Sequence, residues 1–280
     1  MTSVTKTVLI LFLGLLQTKT ILAQNSFAEQ FDYAKKLYAE EKYFDAVTEF
    51  KRLLFFDESE EFNYEANYFM GLSFKYGGKF SEALLHFYLA DNSASSKEQK
   101  IKCSMEIIKI NILRRTTQRA LLMLDSLTMD PECKNKREEI NYWRGWAFIF
   151  SDEWKKASIT FSKIQSAQIL AEVCDSVDNE LYNPELAKYL SIIPGAGQFY
   201  TSEYVSGLLS IGWNVLWGYL TINAFVEDRV LDGVLIGSLL WWRFYSGNIQ
   251  NAEKFAIEKN LEITNSALRY LQSNYSGSKP

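Results

Sequence analysis

Imidazole chemistry in this chain rests on a single residue, His86. Ser–His–Asp and Cys–His schemes need an imidazole beside a nucleophile, and no glycine-rich elbow surrounds this one. With Phe87 as its neighbour, His86 reads as a packing or surface histidine. Cys103, Cys133 and Cys174 are too few and too scattered for a zinc site or a disulfide framework. An odd count leaves at least one free thiol or an intermolecular pair, and one intrachain bridge stays open. Glu58, Glu60 and Glu61 crowd together, yet paired acid–base catalysis needs carboxylates held apart from solvent, and a polar loop explains them better. Arg114-Arg115 and the run Lys134 to Arg137 are short basic segments, suited to a solvated surface or to a partner's carboxylate. Gly195-Ala196-Gly197 lacks the third glycine and the strand–helix context of a phosphate loop. The expectation is a chain that is not an enzyme, with no cofactor and no metal. A catalyst with an unfamiliar site is the least favoured alternative.

The bulk composition points the same way. A net charge of −4, from 30 basic and 34 acidic residues, provides no concentrated basic face for nucleic acid. Four prolines leave long stretches free of the residue that most strongly breaks helices. At the N-terminus, Lys6 precedes nine apolar residues, Val8 to Leu16, and Ile21-Leu22-Ala23 offers a small residue before a cut ahead of Gln24. Nine residues at about 1.5 Å each cannot cross a bilayer core of about 30 Å. Residues 1–23 are therefore expected to be an export signal, with a buried N-terminal helix as the alternative. No cysteine follows to carry a lipid.

A repeat governs the middle of the chain. Ala46, Ala83, Ala120 and Ala157 stand 37 residues apart. Four positions after each come Phe50, Phe87, Leu124 and Phe161. Three before each lie Tyr43, Phe80, Thr117 and Trp154. Twelve before lie Ala34, Gly71, Ile108 and Gly145. Small residues in one helix let a second approach closely, and an aromatic one turn after the alanine shares its face. Each hairpin alone would expose an apolar face, so stacking is what stabilises it. Gly77-Gly78 marks a turn between helices. Asp57-Glu58, Asp91-Asn92-Ser93 and Asp130-Pro131 are expected to end repeats.

These columns resemble the tetratricopeptide repeat, best in Gly71, Phe74, Gly78, Phe80, Ala83, Phe87 and Ala90, and again in Gly145, Phe148, Trp154, Ala157 and Phe161. The third unit departs from it at Ile108 and Thr117, and the period exceeds the family's usual value of about 34. The resemblance implies an all-α solenoid of about four helical hairpins over residues 24–182, whose concave surface binds a protein or extended peptide.

At Asn183-Pro184 the composition changes. Val205 to Val226 holds 22 residues without a charge, about 33 Å as a helix and long enough to span. A second apolar stretch reaches Tyr245, but Asp232 and Arg243 leave ten uncharged residues between them, about 15 Å of helix. Gly233 and Gly237 hold the GxxxG spacing. The segment Pro194, Gly195, Ala196, Gly197, Gln198, Phe199, Tyr200 resembles the start of small bacterial two-helix membrane domains, of the variety closing on Tyr245, Ser246, Gly247, Asn248. Gly207, Ser210 and Asn214 fit that pattern, whereas Ser202 stands where a glycine is usual. The resemblance implies a two-helix transmembrane hairpin over residues 183–248 and contact with the lipid bilayer. A soluble helical hairpin is the alternative. Residues 249–280 are expected to form a separate helix and tail, packing on membrane, solenoid or a second copy of the chain.

The functional expectation is an exported scaffold of the bacterial cell envelope, with the solenoid on the periplasmic side, assisting assembly of envelope or membrane proteins. The alternative is a pore or transporter component of oligomerised hairpins, with Asp232, Arg243, Asn214 and Asn223 lining a polar path.

Overall fold

A computed structural model describes residues 27–280, so the expected signal segment lies outside the described residues. Among them every regular element is helical. They fall into two compact units that divide between Ser151 and Asp152.

In the first unit, α1 covers residues 27–39. It is followed by α2 (Tyr43–Phe56), α3 (Asn63–Tyr76), α4 (Phe80–Ser93), α5 (Lys97–Leu113), α6 (Thr117–Met129) and α7 (Arg137–Phe150). A short 3₁₀ turn, Pro131–Lys136, joins the last two. From α2 onward each helix packs on the next, and α5 also reaches α7.

The 37-residue period marks the helix starts. Tyr43, Phe80, Thr117 and Trp154 are each the first residue of a helix. Immediately before them the backbone turns through the left-handed region at Glu41 (φ 60°), Gly78 (73°), Arg115 (55°) and Asp152 (60°), again 37 apart. In the first three turns the next amide donates back to the carbonyl five residues earlier: Lys42 to Leu37 (2.9 Å), Lys79 to Phe74 (2.8 Å) and Thr116 to Asn111 (2.9 Å). That closure satisfies carbonyls a helix end otherwise leaves bare.

The links between hairpins use side chains instead. Asp57 accepts from the amides of Ser59 (3.2 Å) and Phe62 (3.0 Å). Asp130 accepts from Glu132 (3.1 Å) before the 3₁₀ turn. Asp91-Asn92-Ser93, expected to end a repeat, forms the last turn of α4. The chain leaves that helix at Ala94, and Ser96 with Gln99 forms a reciprocal capping box that starts α5.

The second unit holds α8 (Trp154–Phe161), α9 (Gln168–Glu180), α10 (Pro184–Leu190), α11 (Ala196–Tyr200), α12 (Tyr204–Val226), α13 (Val230–Leu235), a π turn (Ile236–Trp241) and α14 (Trp242–Asn274). Two expected boundaries differ here. The compact division lies at 151/152 and not at 182/183, because α8 packs on α9 and α9 on α14 within this unit. Residues 249–274 are no separate helix either, since α14 runs through from Trp242 without a break. The helix continues through Ser246-Gly247-Asn248, and no proline interrupts it.

Candidate binding surfaces

The expected packing columns are interior. Ala34, Ala46, Phe50, Ala83, Phe87, Ala120, Ala157 and Phe161 are fully buried, and Trp154 nearly so. Gly71 and Gly145 are buried, while Phe80 is half-buried. Ala34, Ala46, Phe50 and Met70 share one apolar cluster, and Ala83, Phe87, Ile107 and Ile110 another. Each buried phenylalanine contributes about 1.5–3 kcal/mol through removal from water. A Cβ added at Gly71 would meet the Phe87 ring at 2.8 Å, so this pair sets how closely α3 and α4 approach. The fourth set is divided: Gly145 belongs to α7 of the first unit, and Trp154, Ala157 and Phe161 to α8 of the second.

A polar seam, not foreseen from the sequence, joins α3 to α5. Glu106 accepts from Lys75 at 3.1 Å and from Lys109 at 2.5 Å, and the first two side chains are nearly buried. Burial lowers the Lys75 pKa, and Lys109 adds to that effect while Glu106 opposes it. Burial raises the Glu106 carboxyl, but the two ammonium groups outweigh it and hold the carboxyl below its usual range. Lys109 also lies 4.7 Å from the Trp143 ring centroid of α7. Beside the seam, Tyr38 is pushed up to about 12, first by burial and then by Tyr76, Tyr43 and Glu106. The arrangement fixes helix spacing and leaves one excess positive charge in an aromatic frame.

The sites weighed for chemistry are dispersed. His86 stacks on Phe74 (centroids 5.3 Å apart), with Nδ1 2.9 Å from Asn67 Oδ1. Burial and then Lys51 lower its pKa, which favours the neutral imidazole. Cys103, Cys133 and Cys174 are each buried and unbridged, which closes the question of an intrachain disulfide among the described residues. Arg115 turns the chain after α5 and lies 5.9 Å from the Phe150 ring centroid.

In the second unit the motif residues lock one corner. Gly195 (φ 89°) faces the Gly207 carbonyl, which an added Cβ would meet at 2.7 Å. Gly197 is tighter still: a Cβ there would meet Ser191 Oγ at 2.0 Å and the Ala187 carbonyl at 2.1 Å. Gly207 makes room for the Phe199 ring. Gln198 is buried and donates from Nε2 to the Asn248 carbonyl (2.9 Å). The Tyr200 hydroxyl accepts from the Asn183 amide (2.9 Å), and the Tyr245 hydroxyl donates to the Ile192 carbonyl (2.9 Å). Gly247 has open space around it. Ser202 adopts φ 62°, so the turn forms there with serine in the glycine-favouring region. Pro194 and Asn214 line a pocket with Trp241 and Tyr245.

Comparison with family models, curated proteins and solved structures finds no match for this chain. Its surfaces therefore carry the functional reading on their own.

Contacts missed in the sequence tie α14 to the segment from Tyr182 to Glu203. Asn260 accepts from the Tyr182 amide and donates to its carbonyl, both at 2.8 Å. Lys188 pairs with Glu253 (3.1 Å) and Lys259 with Glu203 (3.4 Å). Ala187, Ala252 and Ala256 fill the space between α10 and α14. Thus α13 and α14 return alongside α12 as a helical hairpin. Gly233 and Gly237 face α12 through Phe225 and Thr221. Asp232 pairs with Arg229 (3.5 Å) at the turn, away from Asn214 in mid-helix. Only the helix Tyr204–Val226 among the described residues is long and apolar enough to cross a membrane, and 22% of its most apolar window is buried.

Proposed function

We propose that the chain is a membrane-anchored protein-binding scaffold of the bacterial cell envelope. In this reading the first unit is a tetratricopeptide-like solenoid and the α12–α14 hairpin is its transmembrane anchor. The observation that carries the anchor is the exposure of α12. A core helix of this apolarity would be mostly covered, yet Val205, Leu208, Val215, Tyr219 and Ile222 are all more than half exposed. Apolar surface this continuous marks a membrane or protein interface. The second arm is shorter in its apolar reach. It crosses only if Asp232 stays at the turn with Arg229 and Arg243 extends toward the opposite surface.

The scaffold half rests on the buried 37-residue columns and on the paired helices they hold. Stacked pairs of this kind present an extended surface to a polypeptide. Assistance in assembling envelope or membrane proteins, with the solenoid on the periplasmic side, completes the proposal.

Photo-crosslinking of the full chain in its native membrane tests both halves. Benzophenone side chains at Tyr33 or Phe44 are expected to capture polypeptides, and those at Leu208 or Leu216 to capture lipid. Lipid at the first pair, or only polypeptide at the second, would overturn the reading. Ion conductance in liposomes containing the purified chain would favour an oligomeric pore instead.

A further inference from the structure

Arg243 is exposed on the second arm of the hairpin, between Trp242 and Phe244. Every other cation from residue 188 to residue 259 has a carboxylate at 2.9–3.5 Å: Lys188 has Glu253, Arg229 has Glu227 and Asp232, Lys254 has Glu258, and Lys259 has Glu203. Among the described residues Arg243 has none. Its guanidinium stays charged at any pH at which the chain folds. Away from bulk water such a group needs an anion that accepts its hydrogen bonds.

Helix α14 is regular from Trp242 onward, so Arg243, Gly247 and Gln250 share one face at the i, i+4, i+7 spacing. The residues beside Arg243 point elsewhere. Phe244 stacks on Trp213 of α12 (centroids 5.8 Å apart), and the Tyr245 hydroxyl donates to the Ile192 carbonyl (2.9 Å). The Ser246 hydroxyl is committed to the Arg243 carbonyl (3.2 Å). Gln250 is exposed, and a Cβ built at Gly247 would meet nothing within 4 Å. A glycine inside a helix costs stability relative to alanine. Gly247 has a negative φ and open space, so neither packing among the described residues nor backbone conformation requires it. Bare backbone does let a ligand approach closely. In the turn before Arg243, Leu239 is 60% exposed.

An unpaired guanidinium with a gap on one side and an apolar side chain on the other suits an anion that carries a hydrocarbon chain. A symmetric contact with a second copy through this face would bring two Arg243 side chains together, and like charges repel. The bilayer surface, toward which Arg243 extends in the anchor reading, is a layer of phosphates. We propose that the Arg243–Gly247–Gln250 face of α14 binds the phosphate of a phospholipid. The guanidinium and the Gln250 amide donate to its oxygens over Gly247, and an acyl chain runs along Leu239. The proposal rests on the anchor reading, which brings this face to the lipid headgroups.

The test uses the full chain. Washing its membranes with alkaline carbonate first establishes whether the chain is integral. The chain purified in dodecyl maltoside, an uncharged detergent, is then examined by native mass spectrometry with phosphatidylglycerol or with diacylglycerol of the same acyl chains. Phosphatidylglycerol is expected to be retained roughly tenfold more than diacylglycerol, the worth of one charge-assisted hydrogen bond. Arg243→Gln should bring the two to the same level. Gly247→Leu, which keeps Arg243 but covers the gap, should also lower phosphatidylglycerol retention. Its melting temperature without lipid should stay level or rise, because leucine is the better helix former. A lower melting temperature would give Gly247 a packing role and overturn the site. Equal retention of the two lipids by the unmodified chain, or undiminished phosphatidylglycerol on Arg243→Gln, would overturn the proposal and leave the anchor in place. Displacement of phosphatidylglycerol by an equal concentration of inorganic phosphate would make the ligand a free anion and overturn the lipid assignment. Arg243-dependent dimers without lipid would put a second copy on this face and overturn it as well. A chain released by carbonate overturns the anchor reading and this proposal together.

Discussion

Gly71 has no room for a side chain, since a Cβ would lie 2.8–2.9 Å from three atoms of the Phe87 ring. Gly71→Ala is expected to lower stability by about 1–3 kcal/mol through overpacking. Combining it with Phe87→Leu should cost less than the sum of the two changes, because the obstructing atoms belong to that ring. Thermal melts of the four proteins check this. A second residue-scale effect concerns backbone alone. Nothing lies within 4 Å of a Cβ built at Gly78, but its φ of 73° is unfavourable for alanine. Gly78→Ala is therefore expected to destabilise by about 1 kcal/mol, and Arg115→Gly or Ser202→Gly to stabilise by about 1 kcal/mol or less. Denaturant midpoints that move the other way would contradict the turn geometry. The alanine and aromatic columns were legible in the sequence because packing restricts those positions to few side-chain types. The left-handed column was not, although it keeps the same period. Only Gly78 among its four members is a glycine, and the closing backbone bond forms with glutamate at 41 and arginine at 115 as well.

Between elements, the Lys75–Glu106–Lys109 seam sets the pairing of α3 with α5. The Glu106 carboxyl is depressed in the folded chain, so its stabilising contribution is present above the unfolded carboxyl pKa, near 4.3. It is lost as the pH falls through the lower folded value. The melting temperature is expected to drop on the acid side of about pH 4, and Glu106→Gln should flatten that part of the profile. At neutral pH the same change strands the buried Lys75 and is expected to cost about 3–5 kcal/mol. Lys75→Met with Glu106→Leu should recover much of the loss, because an apolar pair needs no compensation. An unchanged acid limb in Glu106→Gln would assign the dependence to other groups. The seam was hidden in the sequence because its partners are 31 residues apart and no local pattern marks them. The motif around Gly195 and Gly197 was visible as a motif, but its partners were not. Ala187, Ser191 and Ala252 come from α10, the turn after it and α14, which only the folded unit brings together.

At the scale of the whole molecule, the position of the C-terminal helix constrains topology. Helix α12 leaves Glu203 and ends at Val226, 23 residues on, about 35 Å away at 1.5 Å per residue. The chain then reverses at Glu227-Asp228-Arg229, and α14 brings Lys259 back to 3.4 Å from Glu203. Asn260 meets Tyr182 in the same region. If α12 crosses a bilayer, residues before it and the distal part of α14 must therefore share one side, and the turn at Glu227 must occupy the other. The sequence alone favoured this arrangement through an export signal, while the turn, with one positive charge, gave little support from the positive-inside rule. The ion pair and the Asn260 contacts supply the geometric reason. The three native cysteines are buried, so engineered thiols can be labelled against a low background. Cysteines introduced separately at Glu185, Glu227 and Gln272, all exposed, are to be treated with an impermeant maleimide in sealed vesicles and again after lysis. Glu185→Cys and Gln272→Cys are expected to respond alike, and Glu227→Cys oppositely. Identical behaviour of all three would mean that α12 does not cross, and its exposed apolar face would then belong to a protein interface. Opposite behaviour of Glu185→Cys and Gln272→Cys would break the hairpin itself, because the Lys259–Glu203 contact cannot bridge a membrane.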